Sequence, residues 1–367
     1  AKGDHSMLAA AAVCVAASVA GGPLLPHPVQ LPARSENVSA PNLIYIKIPK
    51  AMSSTSAGVA RRLAAHHGLN GVFDGKWISR EPGLWAEHSR MHRVGGWMDQ
   101  LTQPSFLFTV IREPADRCLS EYYHLHISSP RGPEAMRTGN TPEAKIDYLR
   151  NHCSNFYKDY LRSARQGDKT TVKEVMGLFD FIGSGPERFN ASALMLAEKY
   201  GHGSLASDVL WVDSKLEAQL ETMFPTHFVP RPPINEEPAQ VLEYINGAFK
   251  VDNAWDYELF RRVNEKIDDW TSSAGAKANT LEYEGLIDRA YKECDTDQVC
   301  SHALDAFRRQ LLEENNRDNM RDSGRAYQEE VGMKIPGGWS KLAQLCEGCY
   351  YEDQGCGFKC IDDLFGQ

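Results

Sequence analysis

Residues 47–56, KIPKAMSSTS, place lysines and a run of hydroxyl side chains directly after a short apolar run. Helical periodicity follows, so the segment predicts a strand, a turn and a helix. Such a turn presents backbone N–H groups without intrahelical partners at the positive end of the helix dipole, and it therefore favours an anion. Lys50 and three hydroxyl groups would complete a cradle for phosphate: those of Ser53, Ser54 and Thr55.

The same segment also has a purely structural interpretation. Ser53 or Ser54 could cap the helix, with Lys50 solvated. The G-x-x-x-x-G-K-[ST] spacing of nucleoside-triphosphate loops is absent. By itself the segment leaves both interpretations open.

A second segment, residues 106–123, repeats the pattern of strand, charged turn and helix. Arg112 follows the apolar run, and Ser120 lies two helical turns further along. A guanidinium recognises phosphate with two parallel hydrogen bonds, so an arginine and a serine hydroxyl that meet on one phosphate are physically reasonable. The alternative is an ion pair of Arg112 with Glu113 or Asp116.

Together the two segments resemble the nucleotide-binding motifs of sulfotransferases. Lys-x-x-Lys-x-x-Ser-Ser-Thr, from Lys47, is similar to their 5′-phosphosulfate loop. Arg-x-Pro-x-x-x-x-x-Ser-x-Tyr-Tyr, from Arg112, is similar to their 3′-phosphate motif. The nearest likeness is to the membrane-associated carbohydrate branch, particularly the galactose-3-O-sulfotransferases and, more distantly, heparan sulfate 2-O-sulfotransferase. It extends over roughly residues 41–272.

The resemblance implies a P-loop-like α/β fold and the sulfuryl donor 3′-phosphoadenosine 5′-phosphosulfate (PAPS). It also implies that Arg112 and Ser120 hold the 3′-phosphate. Lys50 would stabilise the negative charge that builds on the bridging oxygen of the leaving nucleotide, which requires no metal. The residues implied to hold the 5′-phosphosulfate are Lys50, Ser53, Ser54 and Thr55.

The turn departs from the family pattern at one place. Ala51 and Met52 stand where the family usually has a Thr-Gly pair. A methionine has less conformational freedom than a glycine. We therefore expect the backbone contacts of this turn to differ from the family's.

The acceptor hydroxyl needs a base, and residues 85–93, WAEHSRMHR, offer candidates. The stretch resembles the family's His-Met-Arg-Phe segment, whose histidine is the base in related carbohydrate enzymes. His88 fits that segment better than His92, and Glu87 is a third candidate. The ordinary pKa of an imidazole, about 6.5, suits proton acceptance near neutrality. The implied reaction is an in-line displacement at sulfur, with His88 as the base.

Short apolar runs alternate with helical patterns along the chain, which predicts an α/β fold with a central parallel sheet flanked by helices. The resemblance implies that this sheet is P-loop-like. We expect a sulfotransferase domain over residues 41–275 and a helical extension with a Cys-rich tail over 276–367. Strands are predicted at 43–48, 106–111 and 179–182, and helices at 142–163, 187–200, 238–250, 255–272 and 301–315.

Residues 1–40 are predicted to hold a tag remnant, a signal-like segment and a linker. The apolar run 8–20 is too short to span a bilayer and fits a signal-peptide core, although no basic residue lies between Met7 and the run. A plastid leader or an Ala-rich tail is the alternative. We expect the secretory pathway, as a Golgi or secreted protein, with membrane association only through this segment.

Four of the nine cysteines crowd into the C-terminal tail as Cys346-x2-Cys349-x6-Cys356-x3-Cys360. Disulfides are favoured over zinc, because the gap between the pairs is shorter than in zinc ribbons and no histidine lies among them. Sequons at Asn37 and Asn190 would make the protein a glycoprotein in the secretory pathway.

The net charge of −9 argues against duplex DNA, whose phosphates require a basic face, so no nucleic-acid partner is expected. The predicted acceptor is a hydroxyl of a neutral glycan, followed closely by a small-molecule alcohol. Two other classes of function remain: a nucleotide-dependent kinase with a degenerate phosphate loop, for which Asp180 would bind the metal, and a non-catalytic secreted binding module.

Overall fold

The computed structural model describes residues 40–72, 83–98, 101, 104–127, 139–163, 169–201, 206–211 and 231–293. The signal-like segment, the helix predicted at 301–315, the Cys-rich tail and the sequon at Asn37 lie outside these ranges. None of the helices in these ranges combines the length and the hydrophobicity that a bilayer span requires.

Five parallel strands form one sheet in the order β2-β3-β1-β4-β5. The first strand is therefore central, with the third strand on one side and the fourth on the other. This parallel sheet and its helices confirm the predicted α/β class. The strands are β1 (Asn42–Ile46), β2 (Asn70–Val72), β3 (Gly83–Glu87), β4 (Ser105–Arg112) and β5 (Phe181–Gly185).

The sequence predicted β1 and β4 but not β2 and β3. Strand β2 has three residues and β3 has five, and each contains a glycine, so neither produces a strong apolar run. The third predicted strand is shifted: β5 begins at Phe181 instead of residue 179. Asp180, just before it, uses its side chain to accept a hydrogen bond from the Leu107 amide at 2.7 Å.

Ten α-helices of six or more residues lie within the described ranges. Helix α3 continues as a π-helical turn, Tyr123–Ile127, and α8 continues as a π-helical turn, Ile245–Phe249. The helices are α1 (Ser53–His66), α2 (Met91–Met98), α3 (Pro114–Tyr122), α4 (Pro142–His152), α5 (Phe156–Leu161), α6 (Val172–Leu178), α7 (Phe189–Tyr200), α8 (Ala239–Tyr244), α9 (Ala254–Ser272) and α10 (Ala274–Glu293).

The single helix predicted over 142–163 is interrupted between α4 and α5. Asn155 adopts a left-handed conformation with φ 46°, which a right-handed helix does not accommodate. Its backbone N–H instead donates to Oδ1 of Asn253 at 2.7 Å. Cys153, at the end of α4, forms a disulfide with Cys118 of α3 across a Cα–Cα distance of 6.1 Å.

The sheet and the last described helix share one hydrophobic core. Every residue of β1 is buried, and Tyr45 stacks on Phe108 of β4 with ring centroids 4.7 Å apart. Helix α10 adds Tyr283 and Ile287 to this core. The domain boundary predicted after residue 275 falls in the first turn of α10.

Ser192 of α7 joins that helix to the edge strand β5. Its hydroxyl accepts from the Ser184 amide and donates to the Ser184 carbonyl, both at 2.9 Å and both buried. Ser192→Ala should lower the free energy of unfolding by about 1–3 kcal/mol, because it leaves two buried backbone groups unsatisfied. Urea titration with the exposed Ser272→Ala as control tests this. Equal midpoints for the two variants would contradict it.

Candidate active site

Three neighbouring strands end at the same edge of the sheet, because all strands are parallel and β3, β1 and β4 are adjacent. The segments that follow them carry the predicted site residues. His88 follows β3, the turn with Lys50 follows β1, and Arg112 ends β4. The sheet topology thus places these three residues at one edge.

The turn after β1 contains two residues in the left-handed region, Lys50 with φ 62° and Met52 with φ 55°. Met52 is the N-cap of α1, and no side chain caps the helix. Ser53 and Ser54 are the first residues of the helix, so the alternative in which one of them is the N-cap does not apply. The side chain of the N-cap residue therefore supplies no acceptor to the first N–H groups of α1.

Met52 takes a conformation that usually selects glycine. This conformation costs free energy for a residue with a Cβ. It occurs together with close packing on β5, where the Met52 sulfur lies against Gly185. A Cβ added to Gly185 would lie 2.6 Å from Met52 Sδ. The glycine expected in the turn by family resemblance is thus missing, and a glycine in the neighbouring strand makes room for the larger side chain.

Arg112 is in contact with the turn after β1. Its Nη1 donates to the Lys50 carbonyl at 3.4 Å, a contact between residues 62 positions apart. Its Nε also bonds Asp116, so the ion pair that the sequence allowed is present as well. The two segments that were predicted to bind an anion therefore meet.

Tyr157 fixes the backbone of Arg112. Its hydroxyl donates to the Arg112 carbonyl at 2.6 Å and accepts from the Arg112 amide at 2.9 Å. Asp256 in turn holds the start of α5, accepting from the amides of Tyr157 at 2.9 Å and Lys158 at 3.1 Å. A buried carboxylate thus supports the residue that ends β4.

A cavity of about 650 Å³ lies beside Arg112. Ser120 does not line it: this residue is half-buried in α3, two turns beyond Pro114. The structure therefore brings Arg112, but not Ser120, to the cavity. The lining residues are Arg112, Glu113, Asp116, Glu187, Arg231, Pro233, Ile234, Asn235, Leu242, Ile245, Asn246 and Lys250.

His88 is exposed and lies on the other side of the turn. Its Nδ1 is 3.1 Å from the Lys47 carbonyl, which also accepts from the Tyr160 hydroxyl at 2.9 Å. A carbonyl only accepts, so Nδ1 carries a hydrogen and the neutral ring has its lone pair on Nε2. Of the other candidates, Glu87 ends β3 and His92 is in the first turn of α2, and both are half-buried.

The π-helical turn after α3 places a second imidazole near Lys50. Partial burial and the Lys50 ammonium lower the pKa of His124 below its ordinary value of 6.5. The neutral form of His124 is therefore favoured near pH 7. Lys50 thus has a histidine on the α3 side, whereas His88 contacts Lys47.

The sequence interpretation missed several residues that hold this site. None of them belongs to a local motif, and each contacts a residue far away in the chain. They are Tyr157, Tyr160, Asp256 and Arg231. The Asp256 contact spans 99 positions and the Arg231 contact 115. Only the tertiary fold identifies them.

Asp180, the residue considered for metal binding in a kinase, lies away from this edge. It precedes β5 and bonds Leu107 near the start of β4, whereas Arg112 ends that strand. A metal at Asp180 would thus lie at the opposite edge of the sheet from the turn. The described residues contain no group of three or more His, Cys, Asp or Glu side chains that could hold a metal ion.

Residues 39–176 match the model of the sulfotransferase family. This segment contains the turn after β1, His88 and Arg112. No curated protein matches the sequence at a significant level. The match supports a sulfotransferase, an enzyme that transfers a sulfuryl group to an acceptor.

Burial raises the pKa of Asp256 from 3.8 to about 7, against the opposing effect of its two amide bonds. The folded protein therefore holds a proton there that the unfolded chain releases. Stability from this group is complete below pH 3.8 and is lost as pH rises through 7, by up to about 4 kcal/mol.

Urea unfolding from pH 4.5 to 8 of wild type and Asp256→Asn tests this, with the exposed Asp269→Asn as control. The difference between wild type and Asp256→Asn should change from pH 4.5 to about 7 and then level off, whereas the control should run parallel to wild type. A pH-independent difference would mean that the two amides keep the carboxylate ionised.

Proposed function

We propose that the protein is a PAPS-dependent O-sulfotransferase. The observation that carries this proposal is the contact between Arg112 and the Lys50 carbonyl. It joins the two segments that the family resemblance assigns to the two phosphate-bearing ends of one nucleotide. The strand order and the two strand-turn-helix segments support the P-loop-like description.

The amino end of α1 would hold the 5′-phosphosulfate. The missing side-chain cap leaves its first N–H groups for an anion. Lys50 and the hydroxyls of Ser53, Ser54 and Thr55 would supply further donors. Arg112 would bind the 3′-phosphate, with Ser120 as its partner from the family motif.

His88 would remove the proton of the acceptor hydroxyl through Nε2, while Nδ1–H keeps its bond to the Lys47 carbonyl. The acceptor oxygen forms its bond to sulfur as the bond between sulfur and the bridging oxygen breaks. Lys50 stabilises the charge on that oxygen, and the bisphosphate nucleotide PAP leaves.

The acceptor would be a hydroxyl of a glycan, as in the carbohydrate branch, or of a small molecule. The exposed position of His88 supports a large acceptor, because a sugar hydroxyl on a chain can reach it from solvent. His124, near Lys50, would line the same approach. The proposed location is the secretory pathway, with the Golgi lumen first.

A kinase is less well supported, because Asp180 lies at the wrong edge of the sheet for a metal beside the phosphates. A non-catalytic binding module is less well supported, because residues 39–176 match the sulfotransferase family.

Thermal unfolding with ligands separates the three functions. PAP should raise the melting temperature, because a ligand at 100 times its dissociation constant stabilises the native state by about 2.7 kcal/mol. ATP with Mg²⁺ should raise it less. A larger shift with ATP and Mg²⁺ would favour a kinase, and no shift with either nucleotide would favour the binding module.

His88→Ala should lower sulfuryl transfer by about 10²–10⁴-fold, because it removes the base, while PAP affinity stays within twofold. Transfer is measured with labelled PAPS across neutral oligosaccharides and small alcohols. The exposed His152→Ala is the matched control, and His92→Ala and Glu87→Gln test the other two bases. Full activity of His88→Ala would rule out His88 as the base.

A further inference from the structure

The carbonyl oxygen of Lys47 accepts hydrogen bonds from two side chains. Nδ1 of His88 lies 3.1 Å away, and the hydroxyl of Tyr160 donates at 2.9 Å. A carbonyl oxygen has two lone pairs, so it accommodates both donors at once. Neither donor is a neighbour in sequence, since His88 is 41 positions from Lys47 and Tyr160 is 113 positions away. One oxygen thus joins the ends of β1 and β3 to helix α5.

This carbonyl lies past the paired part of the sheet. The last residue of β1 that pairs with β3 is Ile46, opposite Glu87. The Lys47 amide still donates to the Glu87 carbonyl at 3.0 Å, but that amide belongs to the preceding peptide group. The carbonyl belongs to the next peptide plane, which can rotate independently. Its orientation therefore depends on the side chains that donate to it.

Of the two donors, Tyr160 is the one held rigidly. It is buried, and its ring stacks on Phe156 with centroids 5.3 Å apart. The helix that carries both rings is fixed at its start, where Asp256 accepts from two amides of the first turn. Burial raises the pKa of Tyr160 to about 12, so the phenol keeps its proton throughout the range in which an imidazole titrates. The His88 ring, in contrast, is exposed.

We propose that Tyr160 is a positioning residue for His88 and that it acts through the Lys47 carbonyl. The buried hydroxyl holds this carbonyl in the orientation in which it meets Nδ1–H of the imidazole. The hydrogen bond made by one ring nitrogen decides which tautomer is present, so the lone pair of the neutral ring stays on Nε2. Tyr160 thereby sets both the direction and the tautomer of a ring that it does not touch.

This role rests on the proposed function in one respect: the tautomer of His88 matters for turnover only if His88 is the base. Helix α5 then serves both halves of the site. Tyr157, one turn before Tyr160, holds the amide and the carbonyl of Arg112. The base and the residue that ends β4 are therefore placed by two tyrosines on one short helix.

Nitrogen NMR of the full chain with isotope-labelled histidine at pH 8 tests this role, because it reports the tautomer of each neutral ring without any turnover. His88→Gln identifies the His88 signals, and in wild type these should show a hydrogen on Nδ1. Tyr160→Phe removes only the hydroxyl and should lower the Nδ1–H fraction of His88. It should also lower kcat for sulfuryl transfer about threefold to tenfold, the effect of one neutral hydrogen bond, with PAP affinity within twofold.

Tyr200→Phe is the matched control, because its hydroxyl also donates to a backbone carbonyl, that of Pro41 at 3.0 Å, just before β1. It should lower the melting temperature but leave the His88 signals and kcat unchanged. Tyr157→Phe should weaken PAP binding and also leave the His88 tautomer unchanged. A shifted His88 tautomer in either control variant would assign the effect to general loosening of the fold and would overturn the proposal.

The outcomes also separate this role from the proposed enzyme. Wild-type His88 signals in Tyr160→Phe would reject the positioning role, whatever the turnover of that variant, and sulfuryl transfer by wild type would still keep the enzyme. A shifted tautomer in a protein that transfers no sulfuryl group from PAPS would keep the positioning and reject the enzyme. A shifted tautomer with unchanged kcat would keep the positioning and reject His88 as the base.

Discussion

The arrangement of the site depends on one constraint, the parallel pairing of β1 with β3 and β4. Parallel strands end at a common edge, so segments distant in sequence meet without a long loop reaching across the sheet. The bond from Arg112 to the Lys50 carbonyl is the direct result. Without this register, the basic and hydroxyl side chains of the chain would be scattered surface groups.

Around this edge, support comes from the layer of helices. Tyr157 holds both backbone groups of Arg112, and Asp256 holds the helix that carries Tyr157. Asp116 adds a further support, because its carboxylate pairs with both Arg112 and Arg231. Arg231 belongs to a distant part of the chain. The side chains that could contact a ligand are thereby held in place by side chains that do not contact it.

Much of the fold followed from local patterns. The turns after β1 and β4 combine an apolar run, a turn and a helical period within about 20 residues, and such signals are local. The α/β class and the meeting of Lys50 with Arg112 were predictable for that reason. Strand β3 was not, since its five residues hold only a weak apolar signal and its pairing with β1 and β2 is non-local.

The supporting residues could not be predicted from the chain alone. Tyr157 and Arg231 act through contacts 45 and 115 positions away, and nothing in their neighbouring residues marks them. The sequence offered a serine as one possible cap of α1, because the usual preference for hydroxyl caps does not foresee a left-handed Met52. Packing against Gly185 decides that position, and packing is a property of the whole fold.

The exposure of the His88 ring has a consequence for how a catalytic cycle could close. An imidazole that has captured a proton must lose it before the next round, and an enclosed ring would need a chain of donors and acceptors leading outward. Here solvent reaches the ring directly, while the Lys47 carbonyl keeps its orientation through both charge states. If His88 is the base, as proposed, buffer or bulk water would regenerate it without an internal proton wire.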